Sequence, residues 1–456
     1  MPTLLLKSGR IFDPATKLDF IGDVLVDQAT GTIKDIGKNL SGDSALDCTG
    51  KLVCPGFVDI HVHFREPGNI AKETIATGSA AAVHGGFCTV VVMPNTDPPL
   101  DNPAAIAYQY LQAKNANKAR VFPMGCITKG RAGQELAELG LMARGSGASG
   151  AASASNSGTL ASVSSSENFG AVAFTDDGAA VPGSQIMRSA FEYANALDRV
   201  IVEHCEDHDL SNGAIMHEGK VSAALGINGY PSAAEELIVA RDIRLAKLAN
   251  SRFHVSHISA KGAVALVRDA KARGERVTAE VSPHHLLLTD EGCRNFDTAY
   301  KMNPPLREQS DLDACLKGLL DGTIDCFASD HAPHTSEEKA REFVDAPNGI
   351  IGLESNIGVL LTKLVAAQKL PLARFVEAWT SAPARCLSLE KFGVAGKLEK
   401  NGPADITILD LEKEWSLDAS KFKSKARNCP FNGWKLQGAP VWTIVGGVVH
   451  EAIGIR

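Results

Sequence analysis

His61-Val62-His63 sets two imidazoles two residues apart; on a strand such side chains point to the same side, so both can reach one ion. An isolated pair of this kind is better read as two histidines satisfied by hydrogen bonds. Here other apolar runs end in matching ligands. His204 closes Val200-Ile201-Val202-Glu203 and His257 closes Phe253-His254-Val255-Ser256, and burying either imidazole without a partner would be costly. Asp330 ends Phe327-Ala328-Ser329, and Asp177 follows Phe174-Thr175-Asp176. Six candidate ligands at the ends of five such runs are hard to explain as packing. Four imidazoles and two carboxylates suit a pair of borderline divalent ions such as zinc, held about 3.5–4 Å apart with a shared water. Two cations depress the pKa of that water and leave room to polarise a carbonyl. The implied chemistry is metal-assisted hydrolysis, or its reverse, at an amide or ester.

Further polar residues fall near the same run ends and read as substrate handles. Arg65 follows the histidine pair by two and has the planar fork to clamp a carboxylate, with a surface salt bridge as an equally good reading of that residue alone. Asn95 and Asn303 lie in proline-bounded turns, where asparagine is common for conformational reasons. His334, four residues past Asp330, and the Asn348-Gly349 turn complete the group. His84, His208, His217 and His450 lack such placement and read as structural or surface. Strand alternation sends His254 to the face opposite His257, His284 and His285 are candidates for a supporting role, and Asp176 points away from its neighbour Asp177.

The elements that must position these residues are eight apolar, β-branched runs, at 52–63, 88–95, 120–127, 170–176, 200–204, 253–257, 277–284 and 324–330. Alanine-rich helical stretches such as 71–84, 233–249 and 260–272 alternate with them, the pattern of parallel βα units. Eight such strands predict an α/β protein built on a (β/α)8 TIM barrel. Short β-rich runs at 3–7, 23–27, 32–37, 404–410 and 441–449, the last broken by Gly446-Gly447, predict a small β-sandwich made from both chain ends. The expected organisation is residues 1–54 and 389–456 in that β unit and 55–388 in the barrel. Within the barrel, 18 of the 22 residues from 145 to 166 are Gly, Ala or Ser and lack the bulk to pack, which predicts a surface loop insertion. It precedes the fourth strand, on the side away from barrel chemistry, so no lid role is expected.

Composition bounds the rest. With 46 Lys+Arg against 53 Asp+Glu the formal charge is −7 and no basic block stands out, so nucleic acid is not an expected partner. Ten scattered cysteines without a Cys-x-x-Cys pair read as buried reduced thiols. No apolar stretch approaches the ~20 residues of a membrane span, and a cytoplasmic protein is expected.

The runs Pro55-Gly56-Phe57-Val58-Asp59-Ile60-His61-Val62-His63-Phe64-Arg65-Glu66-Pro67-Gly68, Met93-Pro94-Asn95-Thr96, His204-Cys205-Glu206-Asp207 and Phe327-Ala328-Ser329-Asp330-His331-Ala332-Pro333-His334 together resemble the class I, bacterial-type dihydroorotases of the amidohydrolase superfamily. The resemblance spans nearly the whole chain. It implies two Zn2+ per subunit, one held by His61, His63 and Asp330 and the other by His204 and His257, with Asp177 as the bridge. It implies that Arg65, Asn95, Asn303 and His334, with the backbone at Asn348 and Gly349 and with His63 beside them, hold the substrate, and that Asp330 is the catalytic acid–base. Related hydantoinases and dihydropyrimidinases bridge their metals with a carboxylated lysine on strand four; that strand here has none, which leaves the bridge to Asp177. The connection before strand four is longer than the family pattern. The function implied is reversible cyclisation of N-carbamoyl-L-aspartate to L-dihydroorotate in de novo pyrimidine biosynthesis, by a homodimer that in some relatives associates with aspartate transcarbamoylase. Two alternatives stand beside it: a hydantoinase, dihydropyrimidinase or allantoinase-like amidohydrolase, disfavoured by Arg65 and the lysine-free strand, and a catalytically silent scaffold for the transcarbamoylase, disfavoured by the complete ligand set.

Overall fold

The structure, a computed structural model, describes residues 2–145 and 170–455. Apart from Gly145, the stretch 145–166 expected to form a loop insertion lies outside the described residues. Eight apolar runs form parallel strands: β1 (Phe57–Val62), β2 (Phe87–Val92), β3 (Arg120–Pro123), β4 (Ala173–Phe174), β5 (Val200–Glu203), β6 (Phe253–Val255), β7 (Val277–Val281) and β8 (Cys326–Phe327). β1 to β3 pair in order, and so do β4 to β8. Single parallel bridges, Gly125 to Phe174 and Val62 to His331, join the two sets and close the ring.

Alternation along the strands gives the barrel two cores. Val58, Ile60, Val91, Met93, Phe122, Val200 and Val202 fill its interior. Their neighbours Val90, Val92, Val121, Ile201, Phe253 and Val255 pack outward against helix residues such as Ala81, Ile106, Phe191, Val239 and Val264. This is the (β/α)8 architecture, whose chemistry collects at the C-terminal ends of the strands. The first helix, Ile75–Gly85, starts later than its alanine-rich pattern predicts, because Thr74 caps it and the residues between Arg65 and Glu73 form a loop over the barrel mouth.

The expected strand at 52–63 is divided between two sheets. Leu52–Pro55 pairs with Thr3–Asp13 and with Ile406–Ser416, whereas β1 belongs to the barrel. One eight-stranded sheet thus draws on both chain ends, in the order Val448–Glu451, Lys435–Val445, Ile406–Ser416, Leu52–Pro55, Thr3–Asp13, Leu18–Asp27, Thr32–Gly37, with Ser44–Asp47 also on Thr3–Asp13. Its far strand curls back, so that Ile33 N donates to Gly402 O and Asn401 N to Ile33 O, enclosing Leu6, Val24, Val26, Ile33, Val53 and Ile406 as a β-sandwich core. The hairpin at Gly446-Gly447 has φ of +54° and +79°, the left-handed pair that a tight two-residue turn requires. Arg120 locks barrel to sandwich through a forked pair with Asp405, at 2.7 and 3.2 Å.

Residues 417–434, between two sandwich strands, leave the sheet and pack on the barrel mouth, where Leu417, Phe422, Cys429 and Phe431 bury against Leu288, Leu306, Ile351 and Val359. All ten cysteines are free and buried. Among the described residues no helix is long and apolar enough to cross a membrane.

The loops over the mouth are braced by an ion pair, Arg307 Nη2 to Glu235 Oε2 at 3.2 Å, both fully or almost fully buried. Arg307 also donates to Ser259 Oγ and Tyr230 O and lies over the Tyr230 ring. Arg307→Met strands the Glu235 charge in the core and is expected to cost about 3–5 kcal/mol of stability, readable by urea denaturation.

Candidate metal centre and active site

A bulge in β1 aims the first histidine. Asp59 and Val62 pair with Val90 and Val92, so that Ile60 and His61 stand opposite the single residue Val91, and the extra residue turns His61 toward the barrel mouth. Asp59 Oδ1 fixes that turn by accepting from His61 N and from Ser329 N across the β8–β1 seam. Asp177, His257 and Asp330 lie beyond the ends of β4, β6 and β8 rather than within longer strands, because the chain leaves the ladder there. φ is +28° at His257 and +47° at Asp330, and it is +59° at Arg65. Non-glycine residues held in the left-handed region cost energy and cluster at functional sites.

The six residues singled out as ligands meet at one point. His61 Nε2 lies 3.3 Å from Asp177 Oδ1 and 3.6 Å from Asp330 Oδ1. His63 Nε2 is 3.1 Å from Asp330 Oδ1 and 3.5 Å from Asp177 Oδ2. His257 Nε2 is 3.5 Å from Asp177 Oδ1 and 2.9 Å from His204 Nδ1. Two groups, His61/His63/Asp330 and His61/Asp177/His257, each bring their ligand atoms within 4.8 Å of one another. His204 joins the second only through His257.

These residues fit metal ions on two grounds. His61 Nε2 and Asp177 Oδ1 are buried and make no hydrogen bond among the described residues, an expensive state for polar atoms that face each other across a cluster. The far nitrogen of three histidines is also tied to an acceptor: His61 Nδ1 to Glu280 Oε1 at 2.6 Å, His63 Nδ1 to Asn95 Oδ1 at 2.8 Å, and His204 Nε2 to Glu206 Oε2 at 2.8 Å. Each such bond places the proton on the outer nitrogen and leaves the lone pair of the inner one directed at the cluster, the arrangement of metal-binding imidazoles.

Electrostatics keep the carboxylates ionised. Burial alone would raise Asp177 and Asp330, but the surrounding imidazoles, His61 foremost, hold both well below the ordinary range. Burial alone would lower His61, yet Asp177, Glu280 and Asp330 outweigh it and raise its pKa. Glu280 is also held down, its burial offset by His61 and His254. Glu280→Gln removes the charge that orients His61, and is expected to weaken metal affinity by about 10–100-fold, measured by competition with a chelator.

The cluster floors a cavity of 210 Å³. Arg65, Asn95, Asn303, His334, Asn348 and Gly349 all line it. Arg65 is partly buried with its Nε on Pro333 O at 3.3 Å, and among the described residues no carboxylate lies within ion-pair distance of it, contrary to a surface salt bridge. Asn303 Nδ2 donates to Glu206 Oε2 at 2.8 Å, while its Oδ1 is buried without a partner. Asn95 is engaged by His63, as above. His334 Nε2 donates to Asn348 O at 2.8 Å and its Nδ1 faces Lys72 Nζ at 3.4 Å; burial first, then Arg65 and Lys72, lower it to about 3, so it is a neutral ring. Gly349 packs where a Cβ would stand 2.6 Å from Ala332 O and 2.7 Å from His334 Cδ2, so no larger residue fits. Met302, Ala332 and Ile350 form a small apolar cluster here, and Met302 and Ala332 line the cavity.

Several contributors escaped the sequence reading. Glu280 is the clearest, an acidic residue inside the apolar run Val277-Thr278-Ala279-Glu280-Val281, which is itself a signal. Asp59 in β1 is another. His254 is a correction: the left-handed turn at His257 breaks alternation, and His254 lies inside the barrel with its Nε2 on Glu280 Oε2 at 3.1 Å. Asp176 points away from the cluster, accepting from Ile127 N and Thr128 N. Arg131 reaches over from the loop after β3 and holds Asp177 O at 2.6 Å.

The amidohydrolase family model matches residues 52–449. The dihydroorotase of Pelotomaculum thermopropionicum is 47% identical over 450 residues, covering 98% of both chains. That of Acetivibrio thermocellus is 42% identical, over 99% of this chain and 100% of its own. Among solved structures, the L-hydantoinase of Arthrobacter aurescens superposes with a TM-score of 0.81 at 25% identity, over 99% of this chain and 96% of that one. The dihydropyrimidinase of Brevibacillus agri gives 0.78 at 22%, over 98% and 94%, and supports the fold alone. The barrel with its terminal β-sandwich is common to these solved structures. With a buried His/Asp cluster suited to metal and relatives alike along the whole chain, the protein belongs to the amidohydrolase family and, within it, to the dihydroorotases.

Proposed function

We propose that this metal-dependent dihydroorotase uses two zinc ions per chain to interconvert N-carbamoyl-L-aspartate and L-dihydroorotate in the cytoplasm, as a step of pyrimidine biosynthesis. The observation that carries the reading is that one cavity is lined both by members of the ligand cluster (His63, Asp177, His204, His257 and Asp330) and by Arg65, which among the described residues has no carboxylate within ion-pair distance. His61, His63 and Asp330 would hold one ion, His204 and His257 the other, with Asp177 between them. Metal held there would supply Lewis-acid activation of a water and of the amide carbonyl.

The chain's own residues supply the remaining chemistry. Arg65 pairs with the substrate carboxylate and sets its register, and Asn303 offers its unpartnered Oδ1 to a ring N–H. Neutral His334 and the Asn348-Gly349 backbone close the far side. In hydrolysis the Asp330 carboxylate accepts the proton of the attacking water and delivers it to the departing ring nitrogen; cyclisation is the reverse. Asn95, Glu206 and Glu280 hold their histidines in the tautomer this requires. We take the working form to be a homodimer, which light scattering tests, and association with a transcarbamoylase is tested by pull-down.

The substrate reading is tested by elemental analysis and a substrate panel. The expected result is about two zinc ions per chain and turnover of L-dihydroorotate in strong preference to hydantoin and dihydrouracil, which lack the carboxylate. Preference for the neutral rings would replace this reading with that of a hydantoinase.

A further inference from the structure

We propose that Asn428, contributed by the segment that leaves the β-sandwich, is a positioning residue that sets the substrate-binding half of the cavity. The inference rests on the dihydroorotase reading above. Asn428 is buried, and its side chain bonds to two segments of the barrel mouth at once. Nδ2 donates to Ala332 O at 3.0 Å and to Gly349 O at 2.9 Å, and Oδ1 lies 3.5 Å from His334 N as its acceptor. The Asn428 carbonyl also accepts from Ile351 N at 3.1 Å. One residue therefore fastens the chain that carries His334 to the chain that carries Asn348 and Gly349.

Both donors and the acceptor of the amide are used, so the site demands this group. Aspartate in its place would set a carboxylate against two carbonyl oxygens, and alanine would leave the buried Ala332 O without the bond it now accepts. The two segments are packed tightly enough that Gly349 admits no Cβ beside His334, so a shift of one moves the other. None of the six candidate ligands touches the Asn428 side chain. Its loss is predicted to disturb where the substrate is held and to leave the metal cluster as it was.

The test is steady-state kinetics of zinc-loaded Asn428→Ala and Asn428→Asp beside the parent enzyme, with metal content and melting temperature recorded. The expected result is a KM for L-dihydroorotate raised about tenfold or more, as for loss of about 1.4 kcal/mol of binding, with kcat and zinc content little changed. In the double variant with His334→Ala, the two KM effects are expected to multiply only in part, because part of what Asn428 does is to place the segment that carries His334. Should either variant fail to fold, Asn428→Ser retains a donor and is expected to show a smaller KM rise. A KM unchanged in soluble variants, with only kcat or melting temperature reduced, would show a purely structural role and overturn the inference. So would full multiplication with His334→Ala. A parent enzyme without dihydroorotate turnover would instead overturn the functional reading, which separates the two failures.

Discussion

Asp330→Asn is expected to lower kcat for L-dihydroorotate by about 10³-fold, the scale of a lost general acid–base, at a zinc content equal to that of the parent. Asparagine keeps the shape of the side chain and an oxygen that can still face the cluster, but it cannot carry a proton. The geometry is compatible with the two roles proposed for Asp330, ligand and acid–base. Its Oδ1 lies 3.1 Å from His63 Nε2, the residue lines the cavity, and neighbouring imidazoles keep its carboxyl ionised despite complete burial. It therefore begins the hydrolytic cycle able to accept a proton. The loop that presents it is held in the left-handed region at φ +47°, one residue past Ser329, whose N–H is fixed by Asp59. If kcat instead falls only in proportion to lost zinc, Asp330 is a ligand and nothing more.

Arg65→Met has the second large effect, and it falls on binding. The guanidinium stands at the cavity wall with one bond to Pro333 O and, among the described residues, no carboxylate within ion-pair distance, so its charge is available to a substrate. Losing one partner of a desolvated ion pair costs about 2–5 kcal/mol, and a KM raised about 100-fold for L-dihydroorotate is expected, with normal metal content. Methionine keeps the apolar stem, which separates the loss of charge from the loss of packing. The same change is expected to narrow the gap between L-dihydroorotate and neutral rings. An unchanged KM would remove Arg65 from the substrate site and leave selectivity unexplained.

Much of the barrel was legible because its strands are apolar, β-branched runs separated by alanine-rich helices, and because each candidate ligand is a polar residue placed where such a run ends. The terminal sheet was legible in parts, through turn signals such as Gly446-Gly447. The division of residues 52–63 between two sheets was not, since an apolar run carries no mark of which sheet accepts it. The strands leading to His257 and Asp330 were read too long because left-handed backbone at an ordinary residue leaves no trace in composition. The same effect misplaced His254. Supports such as Glu280 under His61, 219 residues away, or Asn428 under His334, 94 away, depend on tertiary contact alone. A lone acidic residue in an apolar strand was the one hint on offer for the first. Asn428 had none, because it comes from a segment whose neighbours in sequence belong to the sandwich.

The most direct test of the account is the loss of ultraviolet absorbance of L-dihydroorotate with the purified protein, before and after chelation and again after zinc is restored. The account predicts saturable turnover that disappears with the metal and returns with it. Absence of turnover by protein carrying two zinc ions, or turnover that survives complete removal of metal, would contradict it.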